Sequence, residues 1–333
     1  MPEAEPLARA VDKIVVTDVA DAVVAAMKGV AADGIEVACC ATADEALRHF
    51  ADADAALVST FDERLLEVAE QLQWVHTRSG GVESYLFPAF AASPVIFTCS
   101  KPNFGIPGAE FALGAMLMIT RRNHLAVGVS KTAYLSGGID DTADPEDLAG
   151  KTVGLLGLGC MGQALAPRAA ALWLRVLACT RSGNRGAAGV AEEYDLSRVG
   201  TLLGQCDFVA VGLPLTAQTR GMIDADFLSR MRRDAWIIDM SARAALFDYP
   251  ALVRAIENGR IGGIASQPCG LDPELGMPPI DSDYWQRHNV VVSACRGTSS
   301  QQVAAGIGLF VDNLARFRAG EPMFGLVDKQ AGY

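Results

Sequence analysis

The strongest constraint on the fold of this chain is an alternation of short β-branched runs with helical segments, which occurs in two rounds. The first round extends from Lys13 to Cys99 and begins with KIVVTD. The second begins at TVGLLGLG and continues to NVVVSA. Strands that alternate with helices in this way form parallel sheets covered by crossover helices. The sequence therefore predicts an α/β protein with two parallel-sheet domains.

A connector rich in glycine and proline, KPNFGIPG, separates the two rounds. After it, residues 108–122 read as one long, largely apolar helix that links the two sheets. The last helical stretch, Ser299 to Ala319, ends at a glycine, and we expect it to return to the first domain. These features predict one domain of residues 1–105 plus 297–333 and another of residues 106–296. The length of 333 residues agrees with two domains.

Charge and hydropathy limit the classes of partner. Lys and Arg total 28 against 39 for Asp and Glu, and the net charge of −11 argues against binding to nucleic acid or anionic membrane. The longest strongly apolar stretch, Phe111 to Ile119, is far shorter than the roughly 20 residues of a spanning helix. The N-terminus lacks a secretory pattern, and none of the eight cysteines has Cys-x-x-Cys spacing. We therefore expect a cytoplasmic protein with reduced thiols, no membrane segment and no metal site.

Gly157, Gly159 and Gly162 form a Gly-x-Gly-x-x-Gly motif between the apolar run TVGLL and a helical stretch. In such a motif the first glycine makes a tight turn, the second lets the backbone approach a pyrophosphate, and the third lets helix and strand pack closely. The phosphates then bind N–H groups at the start of the helix. This context predicts dinucleotide binding by the loop, including Cys160 and Met161. The alternative is a glycine-rich turn with a purely structural role.

The end of the next predicted strand bears on the choice between NAD and NADP. An acidic residue there would hydrogen-bond the ribose 2′-hydroxyl of NAD. The chain instead reads Cys179-Thr180-Arg181-Ser182, with Arg185 close behind, and no carboxylate is available. Because a guanidinium pairs well with a 2′-phosphate, we predict NADP(H) over NAD(H), with Thr180, Arg181 and Ser182 as cofactor-binding residues. The alternative is that Arg181 and Arg185 are solvated loop charges.

With these motifs the chain resembles the D-2-hydroxyacid dehydrogenase family, in particular its NADP-type glyoxylate/hydroxypyruvate reductases, from about residue 13 to the C-terminus. The resemblance rests on the glycine motif and on further segments, which are SGGVE at 79–83, LPLT at 213–216, TRGMID at 219–224, Ala242-Arg243, and NVVV at 289–292. It implies two Rossmann-like domains, one flavodoxin-like and substrate-binding and the other dinucleotide-binding, with an active-site cleft between them. It also implies a homodimer joined through the cofactor domain.

The same resemblance implies roles for individual residues. A small anionic carboxylate substrate is held by the backbone N–H groups of Gly80 and Gly81 and by the guanidinium of Arg243, which orients a 2-oxo acid over the nicotinamide. Pro214 and Gln267 fall at cofactor-binding positions. A surface salt bridge is the alternative role for Arg243.

The predicted catalytic residues depart from the family pattern. The family uses a His, oriented by a Glu, to exchange a proton with the substrate oxygen, whereas here Cys295 replaces the His and Asp272 replaces the Glu. A neutral His both takes and gives a proton near pH 7, but a thiol hydrogen-bonds weakly. If Cys295 cannot do this work, we expect a loss on the order of 10²–10⁴-fold. Cys295 is alternatively a small buried apolar residue, or a nucleophile or base with a pKa lowered by Arg296. We interpret His76, on the predicted strand LQWVHT, as a packing residue.

Three hypotheses follow. The first is an NADP(H)-dependent oxidoreductase that reduces a 2-oxo acid, with Arg243 binding and polarising the substrate and Asp272 with Cys295 or water as the proton source. The second is the same scaffold with changed chemistry, in which Cys295 acts in a lyase, elimination or redox-neutral step. The third is a non-catalytic nucleotide-binding member in which the cofactor biases domain closure. We adopt the first.

Overall fold

The computed structural model describes residues 9–126, 144–267, 271–293 and 300–333. It divides into a first unit, Met1–Phe104 with Thr298–Tyr333, and a second unit, Gly105–Gly297. The described strands are, in chain order, β1 (Lys13–Val16), β2 (Glu36–Cys39), β3 (Ala55–Val58), β4 (Trp74–Thr77), β5 (Ile96–Cys99), β6 (Thr152–Leu156), β7 (Arg175–Cys179), β8 (Glu192–Tyr194), β9 (Phe208–Val211), β10 (Trp236–Asp239), β11 (Gly263–Ser266) and β12 (Val290–Val292). The described α-helices are α1 (Asp21–Ala32), α2 (Ala43–Leu47), α3 (Glu63–Val68), α4 (Pro88–Ala92), α5 (Gly105–Thr120), α6 (Asn123–Ala126), α7 (Cys160–Ala171), α8 (Val199–Leu203), α9 (Ala225–Arg230), α10 (Tyr249–Glu257) and α11 (Ser300–Ala319).

The first unit is a five-stranded parallel sheet with strand order β2-β1-β3-β4-β5. Strands β1, β3 and β4 are buried along their whole length, as expected when helices cover both faces of a parallel sheet. Ile14 and Val16 pack with α1 and α11 on one face, and Val15 belongs to a second apolar cluster on the other. This strand order is the flavodoxin-like one.

The second unit is a seven-stranded parallel sheet with order β12-β11-β10-β9-β6-β7-β8. One face packs against α5 and α7, which contribute alanines such as Ala109 and Ala169 to a close apolar contact. The other face packs against α8, α9 and α10. From β8 to β11 the order is that of a dinucleotide-binding sheet, and it reverses between β6 and β9. Ligands bind at such a reversal, outside the carboxyl ends of the strands.

The predicted class, an α/β fold with two parallel sheets, is confirmed. The long helix predicted over residues 108–122 is α5, which begins three residues earlier, at Gly105. Its start packs tightly on α7, since a Cβ at Gly105 would lie 2.9 Å from the carbonyl oxygen of Cys160. Among the described helices, none has the length and apolar character needed to cross a membrane.

Candidate functional site

The glycine motif lies between β6 and α7, at the point where the strand order reverses. Gly157 has a φ of +94°, and a Cβ there would lie 2.9 Å from the carbonyl oxygen of Gly212. A Cβ at Gly162 would lie 2.2 Å from the carbonyl oxygen of Gly157, so this contact permits only glycine. A Cβ at Gly159 would meet no protein atom within 4 Å. The two outer glycines are therefore required by the protein itself, whereas Gly159 keeps the backbone accessible.

Gly159 is also the N-cap residue of α7, and no side chain among the described residues caps this helix. Gln163 stabilises the loop from inside, because its backbone N–H donates to the carbonyl oxygen of Gly159 (2.9 Å) and its side-chain amide donates to that of Leu158 (3.1 Å). The first N–H groups of a helix have no acceptor within the helix and carry a partial positive charge. This helix start is therefore suited to a phosphate group.

A bend follows β7 and displays two of the predicted cofactor residues. Thr180 is buried, and its hydroxyl donates to Glu193 Oε1 (2.7 Å) and accepts from the N–H of Gly183 (3.0 Å). Gly183 has a φ of +70°, which a tight bend accommodates best with glycine. Arg181 and Ser182 lie between these two anchor points and are exposed. The residues predicted to bind the 2′-phosphate therefore lie on an exposed segment that these hydrogen bonds fix in place.

Glu193, on β8, is a carboxylate that sequence reasoning missed. Its Oε1 also accepts from the N–H of Arg185 (2.8 Å), and its Oε2 accepts from that of Gly186 (2.9 Å). Partial burial raises the pKa of Glu193, but the hydrogen bonds from Thr180 and these two N–H groups outweigh burial and hold the pKa below its usual range. Residues 179–182 themselves contain no carboxylate, but the neighbouring strand places Glu193 next to them, with its two oxygens accepting from Thr180, Arg185 and Gly186.

Pro214 lies in the loop after β9. Its carbonyl oxygen accepts from the hydroxyl of Thr219 (2.6 Å), which in turn accepts from the N–H of Thr216 (2.9 Å). The N–H of Gly212 donates to the carbonyl oxygen of Leu156 at the end of β6 (3.0 Å). These hydrogen bonds hold Pro214 at the carboxyl end of β9, beside the reversal in strand order.

Arg243 follows β10 in a loop organised by a buried carboxylate. Asp239 Oδ1 accepts from the N–H (2.9 Å) and hydroxyl (2.6 Å) of Ser241, and Oδ2 accepts from the hydroxyl of Ser266 on β11 (2.9 Å). Ser241 Oγ then accepts from the N–H of Arg243 (3.1 Å). Ala242 has a φ of +53°, a conformation disfavoured by a Cβ. Burial raises the pKa of Asp239 although its hydrogen bonds oppose the shift. Asp239 thus fixes the backbone that carries Arg243.

The other predicted residues of the second unit differ in burial and in position. Gln267 directly follows β11 and is half-buried, so it and Arg243 lie at the carboxyl ends of adjacent strands. Asp272 is exposed, and its Oδ1 accepts from the N–H of Glu274 (3.0 Å) to cap a short 3-10 helix, Pro273–Leu275. Cys295 lies outside the described residues. In the part of the chain that the structure describes, no group of three or more His, Cys, Asp or Glu side chains is arranged to hold a metal ion.

In the first unit, the predicted carboxylate-binding loop follows β4. The hydroxyl of Thr77 accepts from the N–H of Ser79 (3.2 Å), and the hydroxyl of Ser79 accepts from the N–H of Gly81 (3.2 Å). A Cβ at Gly80 would lie 2.9 Å from the ring of Phe104, so the loop packs closely on that ring. Because the N–H of Gly81 already donates within the loop, binding a substrate there requires it to exchange one acceptor for another.

Two cations near this loop are engaged by the protein. Arg78, directly before Ser79, forms an ion pair with Asp18 in which both side chains are largely buried. Lys101 Nζ donates to the carbonyl oxygen of Leu326 (3.0 Å). These interactions hold the first unit together at the carboxyl ends of its strands.

His76 lies on β4 and is fully buried. Its Nδ1 is 2.7 Å from the hydroxyl of Thr98, which also accepts from Trp74 Nε1 (2.8 Å), and its Nε2 is 3.3 Å from the hydroxyl of Ser100. Burial, with a smaller effect of the charge on Arg78, lowers the pKa of His76 to about 3. The environment is that of a neutral packing residue, not of an acid–base catalyst near pH 7.

We expect a His76→Gln variant to lose part of the acid sensitivity of the parent. Since the folded-state pKa of about 3 lies below the ordinary 6.5, the unfolded state takes up a proton that the native state excludes between these values. The free energy of unfolding then falls as the pH is lowered, by up to about 1.4 kcal/mol per pH unit. Between pH 7 and pH 5 the parent should lose about 2 kcal/mol more than the variant in urea titrations. His49→Gln is the control, and equal losses in parent and His76→Gln would contradict the assignment.

The family of the chain follows from a comparison with known sequences. Residues 113–295 match the model of the D-isomer specific 2-hydroxyacid dehydrogenase, NAD binding domain. The chain belongs to this family. The matched segment contains the glycine loop, the bend after β7 and the loop that carries Arg243.

Individual relatives of the chain agree with this family assignment. The glyoxylate reductase of Thermofilum pendens is 29% identical over 244 residues, which are 71% of this chain and 70% of that protein. The glycerate dehydrogenase of Methylorubrum extorquens is 34% identical over 182 residues, which are 53% of this chain. The match spans about half of that protein, 52% of its length. The NADPH-dependent glyoxylate/hydroxypyruvate reductase of Sinorhizobium meliloti, solved with NADP and sulfate, has a TM-score of 0.80 and 27% identity and covers 97% of this chain and 100% of its own.

Family membership and these relatives identify the chain as an NAD(P)-dependent oxidoreductase that acts on CH–OH groups. Of the two carboxylates that sequence reasoning missed, Asp239 has a sequence signal, because it ends the otherwise apolar run WIID. A charge at the end of a buried parallel strand is unusual enough to mark a hydrogen-bonded site. Glu193 has no such signal, since it lies in EEY, a short and partly exposed edge strand after β7.

Proposed function

We propose that this protein is an NADP(H)-dependent reductase of a small 2-oxo acid. Bound NADPH supplies the hydride, and the chain binds the substrate, orients it and delivers a proton to its oxygen. The observation that carries the proposal is the exposed bend with Arg181 and Ser182 beside the glycine loop. This pairing of a pyrophosphate site with a cationic ribose-phosphate site favours NADP(H).

The cofactor-binding residues fit a dinucleotide. Gly159 keeps the backbone accessible at the start of α7, and the outer glycines hold the turn. Glu193 bonds mainly to the chain itself, because an ionised carboxylate has about four acceptor positions and three are used within the loop. The NADP bound to the Sinorhizobium meliloti reductase supports the choice of NADP(H). The residues that would hold the cofactor are Gly157, Gly159, Cys160, Met161, Gly162, Thr180, Arg181, Ser182, Pro214 and Gln267.

The substrate carboxylate is assigned to the N–H groups of Gly80 and Gly81 and to Arg243. A planar guanidinium binds a carboxylate in a fixed orientation and polarises the adjacent carbonyl. The proton reaches the substrate oxygen from Asp272 with Cys295 or water, and because Oδ1 of Asp272 caps the 3-10 helix, this role falls to Oδ2. The active-site cleft, a homodimer through the cofactor domain and a cytoplasmic location stay predictions.

The test combines binding and turnover in one cuvette. The fluorescence of NADPH and of NADH is titrated first, and glyoxylate, hydroxypyruvate, pyruvate and bulkier 2-oxo acids are then added. We expect NADPH to bind at least about 10-fold more tightly than NADH, as one good charge-assisted contact allows, and to be oxidised by a small 2-oxo acid. Tight binding without oxidation across the panel would contradict the reductase, and turnover without net cofactor oxidation, lost in Cys295→Ser, would favour changed chemistry.

A further inference from the structure

We propose that Glu193 sets the preference of this protein for the 2′-phosphate of NADP(H), by clamping the segment 180–186 in the shape that presents Arg181 and Ser182. The inference rests on the proposed function, because it deepens the assignment of NADP(H). Glu193 is a positioning residue in this account, and the phosphate contacts are made by the segment that it holds.

The clamp joins both ends of the segment through one side chain. At the start, the hydroxyl of Thr180 donates to Glu193 Oε1 (2.7 Å). At the end, the N–H groups of Arg185 and Gly186 donate to Oε1 (2.8 Å) and Oε2 (2.9 Å). An exposed segment held at two ends loses less freedom when a ligand binds, and this raises affinity. Removing the carboxylate breaks the hydrogen bonds from the N–H groups of Arg185 and Gly186 at the end of the segment. Within the segment, the hydroxyl of Thr180 then keeps only its hydrogen bond with Gly183.

The clamp is anchored in the sheet. Strand β8 pairs in parallel with β7, with Glu193 opposite Ala178 and Tyr194 opposite Cys179. The N–H of Thr180 then donates to the carbonyl oxygen of Tyr194 (3.0 Å). The position of the carboxylate is therefore fixed by strand register, and the segment is built onto it.

The negative charge of Glu193 is stabilised by the groups that surround its carboxylate. Its three donors and the nearby charge of Arg185 favour the ionised form, which is why its pKa is low despite partial burial. A carboxylate so bonded acts on the shape of the loop, and repulsion of a phosphate is offset by the donors around it. Because NADH lacks the 2′-phosphate, we expect loss of the clamp to change the affinity for NADH much less than the affinity for NADPH. The opposite role, direct binding of a ribose hydroxyl, would make NADH the more sensitive cofactor.

The neighbouring residue provides a matched control. Glu192 lies on the same strand and pairs with Arg175 and with the hydroxyl of Tyr194. It has the same charge and is one position away, but it bonds no residue of the segment 180–186 in the described structure. Replacing it changes the net charge by the same amount and leaves the clamp intact.

The experiment compares Glu193→Ala, Glu193→Gln and Glu192→Gln with the parent. Fluorescence titration gives the dissociation constants of NADPH and NADH, and competition by 2′,5′-ADP and 5′-AMP isolates the 2′-phosphate. We expect Glu193→Ala to raise the dissociation constants of NADPH and 2′,5′-ADP by about 10-fold or more, as loss of positioning does. The dissociation constants of NADH and 5′-AMP should change by less than about 2-fold. The kcat at saturating NADPH should be unchanged. The dissociation constant of NADPH for Glu193→Gln should lie between those of the parent and Glu193→Ala, since one amide oxygen replaces two acceptors. Glu192→Gln should match the parent.

Each result decides the matter. A parent that binds NADH more tightly than NADPH overturns the cofactor assignment and the clamp with it. A parent that prefers NADPH, with both Glu193 variants keeping that preference, overturns the clamp alone. Equal weakening of NADPH and NADH together with a lower Tm shows a purely structural role and also overturns it. Glu193→Gln is nearly isosteric and keeps the test valid if the alanine variant does not fold.

Discussion

Gly162→Ala is expected to abolish high-affinity NADPH binding and to destabilise the second unit. The added Cβ would lie 2.2 Å from the carbonyl oxygen of Gly157 and 3.2 Å from its carbonyl carbon. Both atoms are backbone, so the glycine loop must move away from α7. Overpacking of this kind costs typically 1–3 kcal/mol, and a misplaced binding loop weakens a ligand by about 10²-fold. Thermal unfolding and NADPH fluorescence measure the two effects.

Gly159→Ala is the matched variant that separates binding from folding. A Cβ at this position meets no protein atom within 4 Å, and the φ of −74° suits any residue. We therefore expect the Tm of the parent but weaker NADPH binding, because the methyl group lies where the backbone approaches the pyrophosphate. Gly114→Ala, in α5 with open space around its Cβ, should leave binding unchanged. Unchanged NADPH affinity in Gly159→Ala would show that the pyrophosphate binds elsewhere.

The parts of this protein that local sequence determines could be predicted. The two sheets follow from buried β-branched runs separated by helices of crossover length, and the glycine loop follows from six consecutive residues that all serve one turn. The order of the strands did not follow from the residues themselves, since a buried run does not encode its neighbour. It entered as an implication of the family resemblance.

The residues that sequence reasoning missed act across strands. Glu193 reaches Thr180, which is 13 positions earlier, only because β8 pairs with β7 in one register. Asp239 reaches Ser266 over 27 positions through the pairing of β10 with β11. Neither of these separations along the chain belongs to a sequence motif. A shift of one residue in strand register would direct each side chain to the opposite face of the sheet. Such contacts become visible only once the strands are placed.

A competing local bond also limits what a motif can reveal. The family resemblance implies that the N–H groups of Gly80 and Gly81 bind a carboxylate, but it does not indicate that the hydroxyl of Ser79 accepts from the N–H of Gly81. Short side chains in loops commonly bond backbone groups two residues away. Asp272 illustrates the same effect, because the carboxylate predicted as a proton source caps a 3-10 helix through one of its oxygens.

Arg243→Ala is expected to reduce kcat/KM for the 2-oxo acid by about 10²–10³-fold, the loss typical of one positioned donor to a developing oxyanion. NADPH affinity should stay within about 2-fold of the parent, because the glycine loop and the bend after β7 do not include Arg243. Arg243→Lys keeps the charge but loses the planar fork, so its activity should lie between the two. Steady-state kinetics with NADPH and glyoxylate measure these effects.

The control for this prediction is Arg254→Ala, which removes an exposed guanidinium from α10 and should leave kcat/KM unchanged. The backbone at Arg243 is held by Asp239 through Ser241, so truncation of the side chain leaves the loop in place and the Tm near that of the parent. A loss of turnover at constant Tm and constant NADPH affinity then reports substrate binding and polarisation alone. Parent-like turnover in Arg243→Ala would instead assign the substrate carboxylate to the loop that contains Gly80 and Gly81, and the guanidinium would have no part in the reaction.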